Sequence, residues 1–309
     1  MSERPCPRNF GLTAAPAPDN LVRMHRCCTL SRLLPLIAAL ACRADLVEQG
    51  PKDSAHSGLQ AGVARADISP PVGIAQLNWG SQTHVEAAGI DPAGMYATAL
   101  VLSDGRQKFA MVDMDYHNVR GLDAAIRQAA ERTGIPASHI RLGVTHTHAG
   151  PNYQAEKGPL GIDPNRYLPP IEAYRRMVAE KVVGAIIEAN SKLRPAHING
   201  AGGLGSININ RRVRATSGTP AAVGTNPEGF ADRGLVVFRI DDAAGDPYAV
   251  LVNFQCHGTV LTYENRVISP DRVGMVRKVV EQAMPGALCL YFQGAAGNQG
   301  PIEGAPGTL

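Results

Sequence analysis

Six apolar runs punctuate the chain from residue 96 onward, each short enough to be one strand. They are YATALVLSDG from Tyr96, KFAMVDMD from Lys108, HIRLGVTHTH from His139, GLVVFRIDD from Gly234, YAVLVNFQCHG from Tyr248 and ALCLYFQGAAGN from Ala287. The runs from Tyr96, Lys108, Tyr248 and Ala287 are nearly continuous in apolar residues, as strands buried on both faces are. Between the runs the apolar period becomes helical. Leu122, Ala125, Ile126 and Ala129 share one face, as do Tyr174, Val178, Val182, Ala185 and Ile186 in a helix expected over Ile171–Leu193. A third helix is expected in SPDRVGMVRKVVEQAMPG, with Ser269 as N-cap, Pro270 in the first turn and Pro285-Gly286 as the stop. The alternation predicts an α/β fold with a mixed, largely parallel sheet flanked by helices. Residues 150–170 and 196–233 are rich in Gly, Pro and Asn and read as long loops.

Four of the runs end in polar residues: Asp113, Asp115 and His117; His146 and His148; His257; Gly297 and Asn298. In α/β sheets ligands bind beyond the carboxyl ends of the strands, so these four ends are expected to frame one site. In an extended segment residues i and i+2 point the same way, so His146 and His148 would aim two imidazoles at one place. Imidazole is a common zinc ligand, and a catalytic zinc takes about three protein ligands and keeps a position for water, which it acidifies toward neutral pH. The alternative is a set of strand-end histidines held by hydrogen bonds. Asp113 and Asp115 would support the metal's ligands or cap the following turn. Asp271 opens a helix, where a carboxylate offsets the dipole. Trp79 is read as the floor of a substrate groove or as core. His117 reads as a loop histidine, and His56, His84, His139 and His197 carry no signal.

Composition narrows the classes. The chain has 309 residues, enough for one large core, and its charged fraction of 18% is below the usual quarter. Its net charge of +3 is uneven: residues 1–43 carry +4 and the remainder −1. The body therefore has no excess of basic residues for nucleic acid. Cys6, Cys27, Cys28 and Cys42 crowd the first 42 residues, with no zinc-ribbon spacing, and Cys256 and Cys289 are expected as buried thiols.

The first segment reads as an address. Arg26 and Arg32 precede a short apolar stretch, Leu33 to Ala41, far below the ~20 residues that span a bilayer. Small residues and Cys42 follow, the pattern of an export signal. ALAC resembles a bacterial lipoprotein signal, with Cys42 as the lipidated residue and membrane anchor, although Ala39 stands where Leu is usual. Met24 then reads as the initiator; the alternative is an amphipathic or disordered arm. Residues 1–43 are assigned to export, 44–58 to a flexible tether and 59–309 to the catalytic domain.

Several short motifs occur in one order: AGVARADISPPVG (Ala61–Gly73), MYATALVL (Met95–Leu102), VTHTHAGPN (Val144–Asn152), ININRR (Ile207–Arg212), NPEG (Asn226–Gly229), FQCHGTVL and FQGAAGN. Together they resemble the N-terminal catalytic domain of the neutral/alkaline, non-lysosomal ceramidase family, from about Leu59 to the end. The resemblance implies a zinc-dependent hydrolase of an amide bond in a ceramide-like N-acyl lipid. It implies Zn²⁺ on His146 and His257, with the family's further Glu and Tyr ligands downstream of Leu309, so that the domain reads as C-terminally incomplete. It implies an orienting or proton-handling role for His148, leaves an active-site role open for Asp271, and implies that Arg211 steers or polarises the substrate, the alternative being a surface arginine that holds its own loop. Where the family carries a proposed nucleophilic serine, this chain has Gly300. Where other members carry Asp, it has Asn298, which removes a carboxylate but leaves Gly294 and Gly297 to present backbone N–H groups to an oxyanion. The contrasting reading is a catalytically silent exported lipoprotein that keeps the fold and only binds.

Overall fold

The computed structural model describes residues 58–79, 84–152, 163–216 and 220–302. The export segment with Cys42, and residues 44–57 of the expected tether, lie outside these residues. In chain order the strands begin with β1 (Gln60–Asp67), β2 (Gly89–Ile90), β3 (Tyr96–Ser103) and β4 (Lys108–Met114). Helix α1 (Asp123–Thr133), β5 (Ile140–Val144) and the long helix α2 (Pro164–Ser191) follow. Then come β6 (Arg194–Leu204), the short β7 (Asn208–Asn210), β8 (Arg212–Val213) and β9 (Ala222–Val223), and the hairpin of β10 (Gly234–Asp242) and β11 (Pro247–Phe254). The described chain closes with β12 (Val267–Ile268), α3 (Arg272–Ala283), β13 (Leu288–Gln293) and β14 (Gln299–Pro301).

Eight strands form one sheet in the order β13-β11-β10-β6-β1-β3-β4-β5. The α/β class, the mixed sheet and its flanking helices are as expected. The parallel share is smaller than the alternation suggests. Only β11–β13 and β4–β5, at the two ends, are parallel; the five pairs between them are antiparallel. Tight connections dictate this: β3 returns into β4 over Asp104–Gln107, and β10 into β11 over Ala243–Asp246, loops too short for a crossover.

Three apolar clusters stack the layers. On one face of β3 and β4, Ala97, Ala99, Val101, Ala110 and Val112 meet α1 and α2. On the other face, Val63 and Leu100 meet Ile240, Leu251, Leu290 and Phe292 of β10, β11 and β13. The sheet therefore curls until its two halves face each other. Val250, Val252, Cys289 and Tyr291 then pack outward toward Val273 of α3. The order is helix, half-sheet, half-sheet, helix, which is why the central strands read as continuous apolar runs. A Cβ at Gly62 would lie 2.0 Å from the Ala189 carbonyl oxygen, so a glycine on β1 is what lets α2 approach the sheet.

Two elements escape the sequence pattern. β6 falls in a stretch read as loop, and its residues RPAHINGAGGL are almost all exposed, so no apolar alternation marks it. α2 begins seven residues before the expected start, because Pro164, Pro169 and Pro170 read as loop although Pro164 occupies the first helical position and Asp163 caps it through Asn165 N. For α3 the N-cap is Asp271, not Ser269. Ser269 Oγ instead accepts from Asp271 N at 3.0 Å and donates to Asp91. Cys256 and Cys289 are buried free thiols, as expected. Among the described residues, no helix is long and apolar enough to cross a membrane.

Candidate metal centre

The carboxyl ends of β4, β5, β11 and β13 meet at four histidines. Beyond β5 the chain continues beside the extension of β4: Thr145 N donates to Met114 O and His146 N to Tyr116 O. His146 then turns sharply, with φ +57°. Such a conformation strains most residues, and strain of this kind gathers at functional sites. The segment is therefore not extended, and it is this turn, rather than strand alternation, that sets the two rings 5.1 Å apart. After the turn, Thr147 bridges to Gly258 and His148 N donates to Gly258 O. A Cβ on Gly258 would lie 2.4 Å from the His146 carbonyl oxygen, so glycine is required where the two chains touch. His257 is thus carried to His146, with ring centroids 4.6 Å apart, and its own N–H is held by Gln299 O.

Hydrogen bonds sort the imidazole nitrogens. His146 Nδ1 donates to the His117 carbonyl at 2.8 Å, and His257 Nδ1 donates to the Ala296 carbonyl at 3.1 Å. Each bond leaves an Nε2 lone pair directed away from the backbone, the arrangement that orients metal-binding histidines. His148 Nε2 lies 3.0 Å from His257 Nε2, while its Nδ1 is buried without a partner. His117, read from the sequence as a loop residue, belongs to the cluster: its ligand atom and those of His146 and His148 lie within 4.8 Å of one another. Its Nδ1, however, accepts from Asn118 Nδ2 at 3.2 Å, so that lone pair is engaged. The donor set fits zinc: the ligand atoms of His117, His146 and His148 converge in a half-buried place, and His257 joins them through its contact with His148.

Burial favours the neutral ring at His117, His148 and His257. It pushes His117 down to about 4, with His146 and Arg120 adding to the effect. It pushes His257 down to about 3, helped by the Arg211 charge. It pushes His148 down to about 2, helped by the neighbouring histidines and Arg211. A depressed folded pKa means that this group's stabilisation is complete above the unfolded value of about 6.5 and is lost as pH falls toward the folded value. In metal-free protein, His148→Gln should therefore gain Tm relative to wild type as pH is lowered from about 7.5 to about 4.5. A constant or shrinking difference across that range would contradict the assignment.

The other expected site residues divide. Arg211 lies at the cluster: its Nε and Nη2 donate to Gly297 O at 3.3 and 3.2 Å, and its backbone N donates to Asn298 O. Asn298 and Gly297 thus offer carbonyl oxygens to this loop. Gly294 N–H is spent on Phe254 O, so it is not free for an oxyanion. Trp79 packs its ring 4.8 Å from that of His148. Gly300 sits in β14 opposite Ile209 of β7, and a Cβ there would meet Arg211 Cδ at an ordinary 3.5 Å, so packing does not compel the glycine. Asp113 and Asp115 turn their carboxylates to Arg277, Tyr291 N and Tyr96 N, beneath the cluster rather than into it. Asp271 binds Arg272 N and Leu261 N, pinning the loop that follows His257.

Residues 59–294 match the profile described as "Neutral/alkaline non-lysosomal ceramidase, N-terminal". The chain belongs to this family. Among curated relatives, it is similar to "Neutral ceramidase A" of Dictyostelium discoideum, 28% identical over 156 residues, or 49% of this chain and 21% of that protein. It is also similar to "Neutral ceramidase" of Pseudomonas aeruginosa, 25% identical over 250 residues, 78% of this chain and 36% of that protein. The fold is shared with a solved structure titled "Ceramidase complexed with C2", at a TM-score of 0.61 and 22% identity over 79% of this chain and 38% of that one. The chain thus spans well under half the length of these relatives.

Proposed function

We propose that this chain carries the metal-binding core of a zinc-dependent hydrolase that cleaves the amide bond of an N-acyl, ceramide-like lipid. The observation that carries the reading is the meeting of the His146 and His257 rings, centroids 4.6 Å apart, each with Nδ1 donating to a backbone carbonyl. Membership of the ceramidase family supports the amide substrate. His146 and His257 would hold Zn²⁺, which when bound supplies Lewis acidity toward a carbonyl and toward water. His148, with Nε2 beside His257, is the residue placed to accept a proton. Its low pKa keeps it a neutral acceptor at physiological pH. Arg211, half-buried beside His257, steers the substrate into the site. Asn298 and Gly297 hold Arg211 in place through their carbonyls. Asp113, Asp115 and Asp271 fix the strand and loop that carry the histidines. Export and anchoring through Cys42, which follows the apolar stretch Leu33 to Ala41, belong to the same proposal.

A specific observation favours a second reading, an exported lipoprotein that only binds: Gly300 offers no nucleophile at the family's serine position. The test is hydrolysis of a fluorescent N-acylsphingosine by the full chain. Release of fatty acid that stops with a chelator and returns with zinc supports the hydrolase. Retained binding without turnover in zinc-loaded protein favours the silent binder.

A further inference from the structure

Arg211 and Arg212 are adjacent in sequence and converge on one acceptor. Arg211 Nε and Nη2 and Arg212 Nη2 all donate to the Gly297 carbonyl, the last at 2.9 Å. Both backbones are pinned. Arg211 N is tied to Asn298 O and its carbonyl to Gly224 N; Arg212 N is tied to Asn210 Oδ1 and its carbonyl to Asn226 Nδ2. Among the described residues, neither guanidinium forms an ion pair with a carboxylate. A single neutral carbonyl cannot offset two like charges, and several N–H donors of the pair remain open. The two guanidinium groups therefore bring positive charge to the mouth of the site with no carboxylate partner among the described residues. A site built this way favours a ligand that brings its own negative charge.

We propose that Arg211 and Arg212 together bind an anionic oxygen group, carboxylate or phosphate, on the amine half of the N-acyl substrate. Arg212 is then a specificity-determining residue that separates charged N-acyl compounds from neutral ceramide-like ones. Naming this ligand as the substrate rests on the amide-hydrolase reading; the anion preference itself does not. Gly300 fits the same picture, since with no side chain there the approach to Arg211 stays open.

Trp79 is the only tryptophan of the sequence and lies against His148, so its fluorescence reports binding without requiring turnover. Full-length protein is titrated with N-lauroylglycine, N-lauroyl-O-phosphoethanolamine and neutral N-lauroylethanolamine, each below its aggregation concentration. At least one anionic probe should bind about tenfold more tightly than the neutral one, the value of one charge-assisted hydrogen bond. The two anionic arms distinguish a carboxylate from a phosphate source. Arg212→Gln should remove most of the preference for the anionic probe, and Arg212→Lys should restore part of it. Arg212 is exposed, so these variants should keep the wild-type circular dichroism. Equal affinity for all three probes, or a preference that survives Arg212→Gln, overturns the proposal. Preferential anionic binding with no cleavage by zinc-loaded protein removes the hydrolase reading and leaves the anion site standing.

Discussion

Replacing Arg277 with Met should cost about 3–5 kcal/mol of folding stability, the usual loss when one partner of a buried ion cluster is removed. Arg277 is 3% exposed, on α3, and is bonded to Asp115 with Asp113 3.8 Å away. Asp113 and Asp115 are themselves buried, on and just beyond β4. Burial already pushes Asp113 up to about 7, against the pull of Arg277 and with the Asp115 charge adding to the rise. Without the guanidinium, two carboxylates would face each other in the interior with only Tyr291 N and Tyr96 N to satisfy them. Urea unfolding near pH 7 measures the loss. Asp115→Asn in the Arg277→Met background should recover part of it by removing the carboxylate that Arg277 binds. A loss below about 1 kcal/mol would mean that water reaches the cluster. The Arg65–Glu281 pair, 2.6 Å apart but 16% and 27% exposed, should contribute much less, about 1 kcal/mol or under. The large effect has a structural reason. Arg277 joins α3 to the β4 extension, and that extension supplies the carbonyls of Met114, Tyr116 and His117 that hold Thr145 and His146.

His257→Ala and His146→Ala should each lower zinc-dependent amide hydrolysis by about 10³-fold or more, since a bound metal contributes several kcal/mol at the transition state. The double variant should be no worse than either single one, because groups acting as a unit are not additive. His148→Gln should differ in kind. It should reduce kcat while leaving metal content intact, because its ring touches the cluster without a carbonyl to orient it. A His257→Ala enzyme within tenfold of wild type would remove that residue from the chemistry.

Much of this geometry is legible in the residues. The apolar runs of β3, β4, β11 and β13 are continuous because each strand is covered on both faces, by a helix layer on one side and by the opposite half-sheet on the other. Their polar ends mark the site because two parallel pairs bring four carboxyl ends to one place. Other features leave no local trace. β1 is named only within a motif, since Arg65 and Asp67 interrupt its apolar pattern. β6 is exposed along most of its length and glycine-rich, and its pairing with β10 is fixed by backbone bonds alone. The curl that lays one half-sheet on the other is a long-range property, and it decides that Asp113 and Asp115 meet Arg277 of α3, 162 residues beyond Asp115. His117 stands three residues past the end of β4. Its place in the cluster follows from the turn at His146, whose φ of +57° no alternation rule anticipates.

The most direct measurement is the zinc content of purified, dialysed full-length protein and its single histidine variants, each checked by circular dichroism. About one zinc per chain is expected for wild type and for His148→Gln, and essentially none for His146→Ala and His257→Ala. Zinc retained by His257→Ala but lost from His117→Ala would place the ion on His117, His146 and His148 instead, and would contradict the pairing of residues 146 and 257.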